Sequence, residues 1–184
     1  MPATADRAVQ RLFFALWPHQ ALAERLFQAT RALVGDAGSQ AVALEDLHVT
    51  LAFLGAVDPQ RRACCETAGA AVDAASFTLT LDRVGHWPGP QVLWLGSSRP
   101  PPALTRLVES LTGALGACGH VPEPRGFQPH LTLARRVALW KPAPAPVPLH
   151  WRVDHLCLVA SERGVAGARY RVLRRWPLRK DAAG

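Results

Sequence analysis

A repeated pentapeptide constrains this chain more than any other feature of its sequence. His48-Val49-Thr50-Leu51-Ala52 is followed, 82 positions later, by His130-Leu131-Thr132-Leu133-Ala134. In a chain of this composition, the pattern His-x-Thr-Leu-Ala is expected by chance roughly 0.01 times. Two copies therefore indicate a duplicated element or a doubled site, and the fold must bring the two segments together.

Each pentapeptide has the pattern of a β-strand, in which alternate side chains share a face. The first copy then directs His48, Thr50 and Ala52 to one face, and its aliphatic residues and Phe53 to the other. The second copy repeats this arrangement with its own histidine, threonine and alanine. We expect the aliphatic face to join the core and the His/Thr face to line a groove.

The remaining periodicity predicts an α+β protein of about seven strands and three helices, with largely antiparallel pairing. The helices are predicted at 22–33, 59–74 and 104–115, and the strands at 12–17, 48–54, 77–82, 92–95, 130–134, 151–158 and 170–176. A turn at 85–90 would join two of these strands into a hairpin, and loops or connectors are expected at 36–40, 140–148 and 161–167. Residues 1–184 can form one ordinary domain or two small lobes that share an interface, and we expect 1–10 and 180–184 to be frayed.

The net charge of +7 comes almost entirely from arginine, because Lys141 and Lys180 are the only lysines. Arginine presents planar, bidentate donors that suit phosphate groups. A basic surface exposed only to solvent would have the same composition, so the charge alone does not identify a ligand.

The four cysteines contain no CxxC pair, which argues against zinc, and we expect no metal or other cofactor. The first 11 residues lack the apolar segment of a secretion signal, and no run approaches the 18 apolar residues of a membrane span. We therefore expect a soluble, cytoplasmic monomer with reduced thiols.

Two histidines facing one groove can divide the work of proton transfer. The unperturbed pKa of histidine, about 6.5, lies near neutrality, so one imidazole can accept a proton while the other donates one. Threonine hydroxyls beside them would bind the oxygens of a phosphate and support the charge of the transition state. A phosphoester reaction without a metal is the chemistry that this pattern favours.

The chain resembles the 2H phosphoesterases, and among them the RNA 2′,3′-cyclic phosphodiesterases, also known as 2′-5′ RNA ligases. The matching segments are Arg11-Leu12-Phe13-Phe14-Ala15-Leu16, the extended first motif from His48 to Gly55, the segment from Phe127 to Arg135, and Ser161-Glu162 with Tyr170 and Trp176-Pro177-Leu178. The resemblance implies two pseudo-symmetric lobes of antiparallel sheet, with helices outside and both motifs in the cleft between them.

The same resemblance implies an activity and a set of site residues. The activity is metal-free hydrolysis of a terminal RNA 2′,3′-cyclic phosphate to a 2′-phosphomonoester, with 2′-5′ ligation as the associated reverse reaction. His48 would donate a proton to the departing 3′-oxygen and His130 would accept one from water. Thr50 and Thr132 would bind phosphate. The other contacts that it suggests are Arg135, Phe127 and Phe13.

Two points remain open from the sequence. Strict alternation puts Arg135 on the core face, so the strand must end or bulge there if Arg135 is to contact phosphate. The substrate could instead be another cyclic nucleotide or a tRNA-processing product, and a non-catalytic RNA-binding module is the alternative of a different class. Near-symmetry of the motifs also prevents the residues alone from assigning acid and base.

Overall fold

The structure is a computed structural model, and it describes residues 9–34, 40–122, 126–142, 147–164 and 167–180. Its helices are α1 (Gln20–Val34), α2 (Pro59–Ala70) and α3 (Pro102–Gly116), with a 3₁₀ turn at Leu44–Asp46. Its strands are β1 (Gln10–Leu16), β2 (Gln40–Ala41), β3 (Val49–Val57), β4 (Phe77–Leu81), β5 (Arg83–Trp87), β6 (Val92–Gly96), β7 (His130–Arg135), β8 (Leu149–Val153), β9 (His155–Gly164) and β10 (Gly167–Pro177). The predicted α+β class is confirmed.

One antiparallel sheet dominates the described part of the chain. Its strands lie in the order β10-β9-β1-β3-β7-β6-β5, with β2 paired to β7, and β4 and β8 form a separate two-stranded sheet. The three helices and one face of the main sheet enclose the hydrophobic core. Leu104, Leu107, Leu111 and Leu115 form the buried stripe of α3 at i, i+3 and i+4 spacing. The opposite sheet face is left to carry the site.

The topology contains an internal repeat related by a pseudo-twofold axis. In one half β1 leads through α1 to β3, and in the other half β6 leads through α3 to β7. Both helices have 15 residues, and each motif strand pairs antiparallel with the strand that precedes its helix. The strands β3 and β7 meet at the centre, as do β4 and β8. The duplication expected from the pentapeptides is thus present in the fold.

Several predicted boundaries are wrong for identifiable reasons. The strand 77–82 does not pair with 92–95, because β4 pairs with β8, and the partners of β6 are β5 and β7. The chain changes direction at Asp82, whose carboxylate accepts hydrogen bonds from the backbone N–H and the hydroxyl of Ser98. Half of the predicted turn at 85–90 is therefore strand, and the turn begins only at Pro88.

Other corrections concern where elements end. The second helix stops at Ala70 rather than at Ala74, and β3 continues through Gly55 to Val57. The strand predicted over 151–158 is broken at Asp154 into β8 and β9, and β9 extends into the predicted loop at 161–167. Gln10 was expected to fray but pairs with Val57. Of the other residues predicted to fray, 1–8 and 181–184 lie outside the described residues, as do 36–39, 143–146 and 165–166 of the predicted loops.

The cysteines depart from the expectation of reduced thiols. Cys64 of α2 and Cys118, just after α3, form a disulfide that closes a segment of 54 residues. Sequence reasoning missed it because the pairing depends on the packing of α2 against α3, which no spacing rule reveals. Cys65 and Cys157 are free and buried. Among the described residues, no helix combines the length and apolarity needed to cross a membrane.

Candidate active site

The two motifs meet where β3 and β7 touch. The strands are paired at a single position, Val49 opposite Leu131, and both of these side chains are fully buried. Flanking residues of each strand therefore turn to the opposite face, toward the cleft. The antiparallel register also brings each motif's histidine next to the other motif's threonine. The neighbours are His48 with Thr132, and Thr50 with His130.

Each histidine is held in the same way by a backbone carbonyl close to it in the sequence. The Nδ1 of His48 lies 2.6 Å from the carbonyl oxygen of Asp46, and the Nδ1 of His130 lies 2.9 Å from that of Gln128. A carbonyl can only accept, so Nδ1 carries the proton and donates it in both rings. In the neutral imidazole, Nε2 is then the unprotonated nitrogen. Both histidines thus keep the same ring nitrogen available for proton transfer.

A β-bulge changes which residues of β3 face the cleft. Ala15 pairs with Thr50, whereas Phe14 pairs with Ala52, so Leu51 is an extra residue. The alternation predicted from the sequence holds through Thr50 and is wrong beyond it, because an inserted residue reverses the faces. Ala52 is consequently buried, and Phe53 lines the cleft with 47% of its surface exposed.

The second motif contains the equivalent bulge in β7. Trp94 pairs with Thr132 and Leu93 pairs with Ala134, which leaves Leu133 as the extra residue. Arg135 is therefore exposed and lines the cleft. This resolves the conflict between strict alternation and a phosphate-binding role for Arg135. Phe53 and Arg135 occupy equivalent places in the two motifs.

Aromatic rings surround the two histidines unequally. The indole of Trp17 stacks on His48 with ring centroids 4.9 Å apart and an interplanar angle of 3°. Phe13 and Tyr170 contact the same imidazole at 5.1 and 5.0 Å. His130 has a single such neighbour in the described residues, Trp87, whose ring meets it edge-on at 4.6 Å.

The pKa values of the two histidines reflect their different surroundings. Burial lowers the pKa of His48 to about 4, with Arg135 and His130 lowering it further and the hydrogen bond to Asp46 opposing the change. Burial also lowers the pKa of His130, and Arg135 acts in the same direction. Both imidazoles are therefore neutral at pH 7 in the free protein, and His48 resists protonation strongly.

The cleft has a volume of about 940 Å³ and extends well beyond the two histidines. Its walls include Thr50, Thr132, Arg135 and Phe127, all predicted from the sequence as site residues. Phe13 was also predicted, and it contacts His48 from the side. No group of three or more histidine, cysteine or acidic side chains with metal-binding geometry occurs in the described part of the chain.

Sequence reasoning missed several residues of this site. Phe53 was assigned to the core because the bulge at Leu51 has no sequence signal. Trp17 could have been found, since it shares the odd-numbered face of the first strand with Phe13. Trp87 and His120 were not singled out because they lie outside the repeated motif, and His120 comes from the segment after α3.

Comparison with known proteins agrees with this architecture. The profile of the 2′-5′ RNA ligase superfamily matches residues 18–165. A protein of Escherichia coli K12 named RNA 2′,3′-cyclic phosphodiesterase is 33% identical over 171 residues, which cover 92% of this chain and 97% of that protein. The crystal structure of E. coli LigT in its apo form superposes with a TM-score of 0.84 at 31% identity, covering 94% of this chain and 99% of LigT. LigT complexed with 3′-AMP gives a TM-score of 0.84 at 32% identity, with coverage of 92% and 98%.

The fold and the paired His-x-Thr strands define a two-histidine phosphoesterase architecture. The chain belongs to the 2′-5′ RNA ligase superfamily.

Proposed function

We propose that this protein hydrolyses the 2′,3′-cyclic phosphate at an RNA end to a 2′-phosphomonoester, with its two histidines as general acid and general base. The observation that carries this proposal is the matched pair of imidazoles in one cleft, each with Nδ1 bonded to a backbone carbonyl two residues earlier. A structural histidine pair would not require the same nitrogen to remain available on both rings.

In the proposed reaction, one proton is removed from water and one proton is given to the leaving oxygen. Water attacks phosphorus while its proton passes to Nε2 of His130, and the bond from phosphorus to O3′ breaks as Nε2–H of His48 protonates that oxygen. The phosphate stays on O2′. Exchange with solvent then returns His130 to its neutral form and His48 to its protonated form. A 5′-hydroxyl in place of water would give the 2′-5′ linkage. Each proton transfer is worth about 10²–10⁴-fold in rate.

The remaining polar groups are assigned to the phosphate itself. Thr50 and Thr132 lie beside the histidines, and the Arg135 guanidinium supplies a positive charge where negative charge develops. Protonation of His48 is unfavourable in the empty cleft, so the proposal couples it to the arrival of an anion. A bound phosphate offsets the influence of Arg135 and raises the pKa of His48.

The relatives support the substrate class. The E. coli protein is named for RNA 2′,3′-cyclic phosphodiesterase activity, and LigT has been crystallised with 3′-AMP. By this resemblance we assign His48 as the donor and His130 as the acceptor. We also propose that the enzyme acts as a monomer in the cytoplasm, on RNA ends, and that no step requires a metal, since the two imidazoles supply both proton transfers.

Turnover of 2′,3′-cyclic nucleotides by purified variants tests the proposal. His48→Ala and His130→Ala are each expected to lower kcat by at least about 10²-fold, which is the lower limit for one general acid or base. Product analysis should show phosphate retained on O2′. Treatment with EDTA should leave the rate unchanged.

His155→Ala serves as the matched control, because His155 is half-exposed and hydrogen-bonded to Asp154 away from the cleft. It should turn over substrate like the unmodified protein. Activity that survives in either motif variant would refute the acid–base assignment, and activity lost on chelation would refute the metal-free chemistry. Salt-sensitive RNA binding without any product would support the binding module instead.

A further inference from the structure

The two histidines of the cleft differ in how many contacts hold their rings. Both donate Nδ1–H to a backbone carbonyl. His48 is in addition surrounded by three aromatic rings, whereas His130 has Trp87 as its single aromatic neighbour among the described residues. The ring plane of His130 therefore depends on few contacts, and each of them carries more weight.

The backbone around His130 offers the ring little other support. Its hydrogen-bond acceptor, the carbonyl of Gln128, belongs to the segment 126–129, which has no regular secondary structure. Across the sheet, Gly96 pairs with His130 and contributes no side chain. A Cβ at Gly96 would press against the Pro129 carbonyl oxygen, so this position excludes a supporting side chain. Trp87 supplies the contact that Gly96 cannot.

Trp87 meets His130 from the neighbouring hairpin of β5 and β6. The two ring centroids lie 4.6 Å apart, and the ring planes are inclined at 74°. An edge-to-face contact of this kind favours one relative orientation, because the positive edge of one ring is attracted to the negative face of the other. Trp87 thus restrains the tilt of the imidazole, which the hydrogen bond at Nδ1 leaves free.

A second indole supports Trp87 from behind. The ring of Trp94 lies 5.3 Å from that of Trp87 and is only 4% exposed. Trp94 is the cross-strand partner of Gly85, and a Cβ on Gly85 would overlap its ring. The guanidinium of Arg83 lies over the Trp94 ring, 5.9 Å from its centroid. Arg83, Gly85 and Trp87 share one face of β5, so the strand presents a continuous support for the indole that touches His130.

Hydrogen bonds fix this hairpin to the end of the second motif strand. The N–H of Val137 donates to the carbonyl of Gln91 at 3.0 Å. The carbonyl of Val137 accepts from Nε2 of His86 at 2.7 Å. Val137 follows β7 by two residues and bonds to the hairpin on both sides of its turn. The position of Trp87 is therefore set relative to the strand that carries His130.

We propose that Trp87 is a positioning residue for His130, which holds the plane of the imidazole so that Nε2 faces the attacking water. The proposal rests on the proposed function for the role of His130 as the base. It adds that the β5–β6 hairpin, which lies outside both motifs, sets the precision of that base.

Turnover of 2′,3′-cyclic AMP by variants of Trp87 tests the proposal. Trp87→Leu should lower kcat by about 10- to 100-fold with little change in KM, because a misplacement of about 1 Å costs up to about 10²-fold. Trp87→Phe keeps an aromatic edge or face beside His130 and should recover most of kcat. Combined with His130→Ala, Trp87→Leu should cause no further loss, because no imidazole is left to position.

Trp176→Leu is the matched control, since Trp176 is also half-buried but packs against Phe14 and does not line the cleft. Its kcat should equal that of the unmodified protein. If Trp87→Leu does not fold, Trp87→Met takes its place with the same expectation, because a flexible side chain fills the space without a ring. An unchanged kcat, a loss confined to KM, or a full further loss in the His130→Ala protein would overturn the proposal.

If the unmodified protein turned over no cyclic phosphate, the proposed function would fail, and NMR would still decide on the support of the ring. Relaxation of the ¹³C nuclei in the imidazoles reports how rigidly each ring is held. Trp87→Leu should lower the order parameter of His130 and leave that of His48 unchanged. Equal order parameters for His130 in the variant and the unmodified protein would refute the positioning role.

Discussion

Acid should destabilise this protein through His48 in particular. Three aromatic rings pack around its imidazole, and burial lowers its pKa to about 4, well below the ordinary value of 6.5. Between these two values the unfolded chain binds a proton that the folded chain does not, so stability falls as the pH falls from 6.5 to 4. One pKa unit corresponds to about 1.4 kcal/mol, which gives a loss of about 3 kcal/mol by pH 4.

Urea unfolding of the unmodified protein and of His48→Gln, at pH 7 and at pH 4, measures this loss. Carboxylates titrate in both proteins, so the difference between them isolates the histidine. With an m-value of about 2 kcal/mol/M, the urea midpoint of the unmodified protein should fall by about 1.5 M more than the midpoint of the variant. Trp17→Leu, which lets water reach the imidazole, should reduce the loss.

If the unmodified protein and His48→Gln lost the same free energy of unfolding between pH 7 and pH 4, the aromatic rings around His48 would not disfavour its charged form. The coupling of His48 protonation to substrate binding would then have no physical basis. Addition of phosphate should oppose the acid loss in the unmodified protein only, because a bound anion favours the protonated ring.

Two further perturbations test the packing around the site. Gly85→Ala places a Cβ against the Trp94 ring and should lower the free energy of unfolding by about 1–3 kcal/mol in urea titration. Gly89→Ala meets no atom within 4 Å and should have little effect. Equal effects of the two variants would refute the close packing of the Trp94 ring. Cys64→Ser removes the link to Cys118 across 54 residues, for which chain entropy predicts a loss of about 4 kcal/mol. Thermal unfolding with and without reductant checks it, since reductant should destabilise the unmodified protein and leave the variant unchanged.

The sequence predicted the centre of the site correctly but not its periphery, and the reason is physical. Alternation along a strand correctly turned His48 and Thr50 to one face, because it depends only on local backbone geometry. It failed three residues further on at Phe53, because a bulge is set by the neighbouring strand. The same holds for the helices, whose apolar stripes were visible, and for the pairing of β4 with β8, which depends on contacts between distant segments.

The structure also shows how near-identical motifs place their histidines in different environments. The backbone treats His48 and His130 alike, since each donates Nδ1–H to a carbonyl two residues earlier. Symmetry is broken by the side chains around them. Trp17 stacks on His48, whereas the equivalent position beside His130 is Gly96, where an added Cβ would lie 2.8 Å from the Pro129 carbonyl oxygen. A duplicated scaffold can therefore hold two imidazoles in the same orientation, and the residues outside the motif decide how readily each imidazole takes up a proton.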